Sequence, residues 1–154
     1  MPEAITDDEL IVRSVRKNWL KRGELQYPAF RPSAGKTLIS VIRGKMGVDF
    51  CKTKSVEILA AEYVGLATIL AGDIRALEAL VEDYPQDFVG HAHIDHIDPP
   101  LPPNDPLSPA VNKVLNDRCK ALARKAKFHA DDEPEILHWT GSAILEAQVI
   151  PSVS

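Results

Sequence analysis

Apolar positions along this chain fall into short runs that alternate, joined late by one long stretch with a helical period. LIVRSVRKNW (10–19) is rich in β-branched residues and predicts a first strand, followed by a turn at Gly23. ELQYPAFRPSAGK carries two prolines and a glycine, and predicts a loop with a short extended piece around Ala29 and Phe30. TLISVIR (37–43) alternates most clearly: Leu38, Ser40 and Ile42 face one way, Thr37, Ile39, Val41 and Arg43 the other. Both faces are largely apolar, the mark of a central strand. KSVEILAAEY (54–63) predicts a short helix with Val56, Leu59, Ala60 and Tyr63 on one face. VGLATIL (64–70) predicts a strand. GDIRALEALVEDYP reads as a helical turn leading into a strand at ALVEDY, closed by Pro85, and DFVGHAHIDHI (87–97) as a further strand.

DPPLPPNDPLSP (98–109) holds six prolines in twelve residues, so it is an extended loop. A helix follows, with Ser108 as N-cap and Pro109 in its first turn. Val111, Leu115, Cys119, Leu122 and Ala126 trace its apolar face, and RCKALARKAK places positive charge towards its C-terminus. The remaining tail offers EILHW and AILEAQVI as short edge strands. Several short strands, two main helices and no regular βαβ alternation predict a single α+β domain with a mostly antiparallel sheet. Residues 1–128 form its compact part and 129–154 a C-terminal tail or edge strands.

Composition narrows the setting. With 154 residues the chain fits one domain, and needs neither metal nor disulfide to bury a core. A net charge of -4 makes a dedicated nucleic-acid binder an unpromising class, though it allows a local basic patch. Cys51 and Cys119, far apart and outside any CxxC, do not form a disulfide framework, and Cys119 reads as a small buried apolar residue. No apolar run reaches the ~20 residues of a membrane span, and MPEAITDDEL lacks the apolar region of a secretory signal. The expectation is a soluble cytoplasmic protein.

GHAHIDHIDPP (90–100) gathers three of the five histidines. On a strand, His91, His93 and Asp95 share a face, with His96 opposite or at the strand end. Two imidazoles and a carboxylate so spaced could hold zinc or another divalent metal. The letters H-x-H-x-D-H at 91–96 resemble the zinc signature of the metallo-β-lactamase fold. That fold needs further histidine and aspartate ligands on later strands. Here only 58 residues follow His96, with a proline loop in place of the glycine pair, so the string reads as coincidental.

A second likeness runs longer. Arg13 and Arg16 on a first strand, Ala29–Phe30, LISV (38–41), VEDYP (81–85), HAHI (91–94) and ALARKAKF (121–128) follow one another in this order. The series resembles a group of small bacterial proteins of unassigned activity, over roughly residues 10 to 128. What the resemblance implies is that His91 is the histidine to follow and that His93 and His96 are extras, which weakens the metal reading.

Other constellations are plainer. Arg13, Arg16, Lys17, Lys21 and Arg22 surround Trp19; they read as a solvated edge balanced by Asp7, Asp8 and Glu9, or as a phosphate or nucleic-acid contact. SAGK (33–36) lacks the spacing of a phosphate-binding P-loop, and no G-x-S-x-G surrounds Ser40. HADDEPE (129–135) reads as a solvated acidic loop in which Asp131 and Asp132 could bind a cation weakly.

Two functions are carried forward. The first is an interaction, accessory or regulatory protein with a protein partner or a second copy of itself, without a cofactor. The second is a small enzyme or binding protein for a phosphorylated or nucleotide ligand. In it Arg13, Ser40 and His91, on three strands, surround a polar pocket, with or without a metal on His91, His93 and Asp95.

Overall fold

The strands expected from the first and third apolar runs lie side by side at the centre of one sheet. A computed structural model describes residues 3–33, 36–97, 108–141 and 144. In chain order these contain β1 (Leu10–Arg16), β2 (Leu20–Lys21), β3 (Glu24–Leu25), β4 (Leu38–Arg43), α1 (Val48–Leu59), β5 (Tyr63–Leu70), α2 (Ala71–Ala76), β6 (Leu80–Asp83), β7 (His91–Asp95), α3 (Pro109–Lys125) and β8 (Lys127–Ala130). Six strands form an antiparallel sheet in the order β6-β7-β4-β1-β5-β8, and β2 and β3 form a small separate hairpin. The fold is a single α+β domain whose two main helices are α1 and α3.

Strand alternation builds two cores. Ile11 and Val15 of β1, Ile39 and Val41 of β4, Ala67 and Ile69 of β5, and Ala92 and Ile94 of β7 join Phe30, Cys119 and Leu122. That face is covered by α3 and by the 3-10 turn Tyr27–Phe30. The opposite face sends Val12, Ile42 and Leu66 against Cys51 and Leu59 of α1 and against Trp139. A sheet with helices on both faces can bury both sets of side chains, which is why β4 is apolar on both sides.

The sequence signals for α3 correspond to its geometry. The Ser108 hydroxyl accepts from the Val111 N–H at 3.2 Å, Pro109 occupies the first turn, and Leu115, Cys119 and Leu122 are buried. The helix expected at 54–63 differs: α1 begins at Val48 and ends at Leu59. Ala60 then adopts φ 50, and Tyr63 opens β5 instead of closing the helix. Two polar side chains, Lys52 and Ser55, lie on the buried face of α1 and interrupt the apolar period that would have marked it.

The segment after α3 returns to the sheet. β8 pairs with β5 from Gly65↔Ala130 to Thr68↔Lys127, so the boundary expected after residue 128 falls inside a strand. Gly65 permits this approach, because a Cβ there would lie 2.3 Å from the His129 carbonyl oxygen. Residues 136–139 form bends and coil, not the expected strand, and nearly all of AILEAQVI (143–150) lies outside the described residues. No described helix is long and apolar enough to cross a membrane.

The acidic stretch is not simply solvated. Asp131 is buried, 3.0 Å from the Lys52 ammonium, and accepts from the Tyr63 hydroxyl at 2.6 Å. Lys52 Nζ also donates to the carbonyls of Glu133 and His138, tying this segment onto α1. Burial works against the Asp131 charge, but the bonds from Tyr63, Lys52 and the Glu133 N–H outweigh it and hold the carboxyl below its usual range.

The acids near the N-terminus are likewise committed, not to the basic run beside Trp19 but to other partners. Glu9 accepts from Arg43 at 2.6 and 2.9 Å, and Asp7 accepts from Arg75 at 2.7 Å. Asp83 also accepts from Arg43, whose guanidinium these bonds hold firmly protonated.

Candidate functional site

The ladder between the two central strands is short. β1 and β4 pair only at Ile11↔Arg43 and Val12↔Ile42. On its other side β1 stays with β5 as far as Arg16↔Tyr63, and β4 stays with β7 as far as Leu38↔Asp95. The middle of the sheet therefore parts beyond Val12. Backbone carbonyls along such a split need donors from elsewhere. Arg13 supplies them: its Nε donates to the Ala29 carbonyl at 2.8 Å and its Nη1 to the Ser40 carbonyl at 2.7 Å.

Trp19 lies beneath this guanidinium, its ring centroid 4.9 Å from Arg13 Cζ and 5.6 Å from Arg16 Cζ. Among the described residues no carboxylate pairs with Arg13. Burial, with some repulsion from Arg16, lowers its pKa to about 10, which leaves it cationic at neutral pH.

A cavity of about 570 Å³ opens at the split. Its walls include Arg13, Arg16, Arg31 and Lys36 and, among the described residues, no aspartate or glutamate. Arg16 is bonded to Glu62. Arg31 and Lys36, from the loop before β4, have no ion pair among the described residues. Ser40 and His91 line the same cavity, so Arg13, Ser40 and His91 do border one space. The contact between the first two runs through the Ser40 carbonyl and not its hydroxyl.

His91 is held from behind. Gly90, at φ 96 and packed on Met46, sets the turn that starts β7. The His91 Nδ1 lies 3.2 Å from the Tyr84 carbonyl, which only accepts, so this nitrogen carries the proton. The Asp87 carboxylate stands 3.4 Å from the same nitrogen. Phe88 and His93 flank the ring at centroid distances of 4.9 and 4.8 Å. Nε2 has no hydrogen bond among the described residues.

The metal reading meets a different geometry. His91, His93 and Asp95 do share a face, facing the Ile42, Ser40 and Leu38 positions of β4. The two histidines, however, pack edge-on against each other and on Tyr84, while Asp95 is engaged elsewhere. His91 bonds Tyr84, the His93 ring stacks on Tyr84 at 4.3 Å, and Asp95 accepts from the Ile97 N–H at 3.0 Å. Among the described residues no group of three or more His, Cys, Asp or Glu side chains is placed to hold a metal ion. Burial and the neighbouring His91 lower the basicity of His93.

His96 lies on the other side of the sheet's end, fully buried, with Nε2–H donating to the Phe30 carbonyl at 2.7 Å. Burial lowers its pKa, and its Nδ1 has no hydrogen-bond partner among the described residues. Cys119 sits 3.8 Å from it; burial raises the thiol to about 11, which keeps it protonated. His129, on β8, is 3.0 Å from the Thr68 hydroxyl.

Residue types alone singled out Arg13, Ser40 and His91. They did not single out Arg31, Lys36, Tyr84 or Asp87. Arg31 and Lys36 reach the cavity only because β1 and β4 part, and no local pattern signals that. Asp87 precedes His91 by four residues, a spacing visible in the sequence but given no meaning there.

Comparison with family models, with curated proteins and with solved structures gives no match. Fold and cavity thus stand on their own chemistry: an α+β domain whose central strands are split around a half-buried arginine, beside a space that four cations border.

Proposed function

We propose that the chain binds a small phosphorylated or nucleotide ligand in the cavity between β1 and β4. One observation carries this reading: the Arg13 guanidinium has no carboxylate partner among the described residues, and it borders a space that Arg31 and Lys36 also line. Arg13, Arg31 and Lys36, which have no carboxylate partner among the described residues, repel one another around the cavity, and a phosphate relieves that repulsion through charge-assisted hydrogen bonds. The volume falls within the ~300–1,000 Å³ usual for small-molecule sites. Two free, buried cysteines support a reducing cytoplasmic setting.

The interaction reading draws on the chain's size, its mild acidity and the lack of a complete catalytic motif, with the proline segment and the tail as surfaces for a partner. Residues 98–107 and nearly all of those after 141 lie outside the described residues, so that reading gains no physical support beyond its sequence.

Calorimetric titration with inorganic phosphate and with adenosine monophosphate at low salt tests the proposal. Saturable binding is expected, weakened at least tenfold in an Arg31→Ala/Lys36→Ala variant that keeps its thermal midpoint. The absence of heat with either compound, or equal affinity in the variant, sinks the proposal.

The Asp87–His91 pair favours a second reading, hydrolysis of a bound phosphate ester. An imidazole whose Nδ1–H is fixed by a carbonyl and a carboxylate offers Nε2 as a base. Nε2 would take a proton from water as the water oxygen attacks phosphorus, and return it to the departing alcohol oxygen.

A further inference from the structure

Cations form only one wall of the cavity. Leu38 and Ile58 are among the large apolar side chains left exposed, at 39% and 55%, and both border this same space. Ile42 and Phe88 line it with them. Leu38 and Ile42 share one face of β4, and Ile58 stands at the last turn of α1, which covers that face. Arg13, Arg16, Arg31 and Lys36 come from β1 and from the loop before β4. Apolar and cationic walls therefore have separate structural origins.

Inorganic phosphate would satisfy only the second wall. It would leave Leu38 and Ile58 in water and most of about 570 Å³ filled by solvent. A purely apolar molecule would leave the Arg13 charge without a counter-ion. The occupant that satisfies both walls carries a compact dianion at one end and an apolar body at the other.

We infer that the ligand is a free amphipathic monophosphate, a phosphate ester whose alkyl or aryl part lies against Leu38, Ile42, Ile58 and Phe88. The inference rests on the phosphate reading above and names the class of molecule that reading takes. A cavity bordered by two strands, a loop and a helix end suits a dissolved molecule better than a headgroup held in a bilayer.

The test is a chain-length series. Ethyl, butyl and hexyl phosphate are titrated calorimetrically beside inorganic phosphate and hexanol, all below their micelle concentrations. Affinity is expected to rise two- to fourfold per methylene over the series, with hexanol binding at least a hundredfold more weakly than hexyl phosphate. Ile58→Asn is expected to flatten that rise. Vesicles of phosphatidylcholine containing phosphatidic acid are expected to leave the protein in the supernatant.

A flat series alongside measurable binding of inorganic phosphate overturns this inference and leaves the phosphate reading standing. No binding of any phosphate overturns both. Hexanol matching hexyl phosphate shows an apolar site indifferent to charge, and co-sedimentation with vesicles in place of binding to hexyl phosphate shows a lipid surface as the partner. Either result contradicts the proposal.

Discussion

The Arg13 guanidinium donates to the Ser40 carbonyl at 2.7 Å, standing in the sheet where a ladder between β1 and β4 would otherwise run. A second bond to Ala29 at 2.8 Å ties in the turn that carries Phe30. One side chain thus closes the fold and supplies the cavity's central charge.

Replacing Arg13 separates these roles. Arg13→Lys keeps the charge, but a single ammonium on a flexible stem cannot reproduce the planar fork that spans two carbonyls. A stability loss of about 1–3 kcal/mol is expected, the cost of leaving a buried acceptor unsatisfied. Arg13→Met loses the charge as well and is expected to abolish phosphate binding. Denaturant unfolding of both variants checks the first expectation. An Arg13→Met protein as stable as the parent would show that the split needs no donor.

Lys52 and Asp131 are each about 1% exposed at the side chain and 3.0 Å apart. Lys52→Met strands the Asp131 charge and removes the donor to Glu133 and His138, at a cost of about 3–5 kcal/mol. Adding Asp131→Asn removes the stranded charge, so the double variant is expected to be more stable than Lys52→Met alone. Urea titrations of the parent, both single variants and the double decide it; additive losses contradict a coupled pair.

Acid should destabilise the protein in two stages. Burial lowers the pKa of His96, His93 and His129. Below the ordinary histidine value of ~6.5, the unfolded chain takes up protons that the folded chain refuses, so stability falls as pH drops. Asp131 is lowered too, with the opposite charge at stake. Its contribution is complete above the ordinary aspartate value of ~3.9 and is lost as pH falls through its lower folded value. Unfolding free energies at pH 8, 6, 5 and 3.5 trace both stages. A flat profile between pH 8 and 5 contradicts the histidine part.

If the cavity turns over its ligand, His91 and Asp87 carry the proton transfer. Release of nitrophenol from p-nitrophenyl phosphate is expected to fall about a hundredfold or more in His91→Gln, the usual weight of an acid–base group. Asp87→Asn is expected to fall by less, because Tyr84 still holds the ring. Binding without any turnover in the parent protein ends the hydrolytic reading.

Much of this architecture is written locally. Alternation marks β4 and β7, and the Ser108–Pro109 pair marks the start of α3, since caps and periods are properties of neighbouring residues. α1 was half legible because Lys52 and Ser55 point inward, where a polar residue breaks the apolar period. The acidic stretch misled for a related reason: Asp131 reads as a surface charge until its partner, on a distant helix, is known. β8 is four residues at a sheet edge, too short to alternate convincingly. For the cavity, the strand-borne Arg13, Ser40 and His91 stood out as polar residues in apolar runs. Arg31 and Lys36 did not, because their place depends on the parting of two strands.

A titration of ¹⁵N-labelled protein with hexyl phosphate, followed by amide chemical shifts, tests the central claim most directly. Saturating shifts should concentrate at residues 13–16, 31–33, 36–42, 58–59 and 88–91, where the two cavity walls meet. Shifts confined to the basic surface around Lys120–Lys127, beside Tyr27, or none at millimolar ligand, would contradict a phosphate site at the split between β1 and β4.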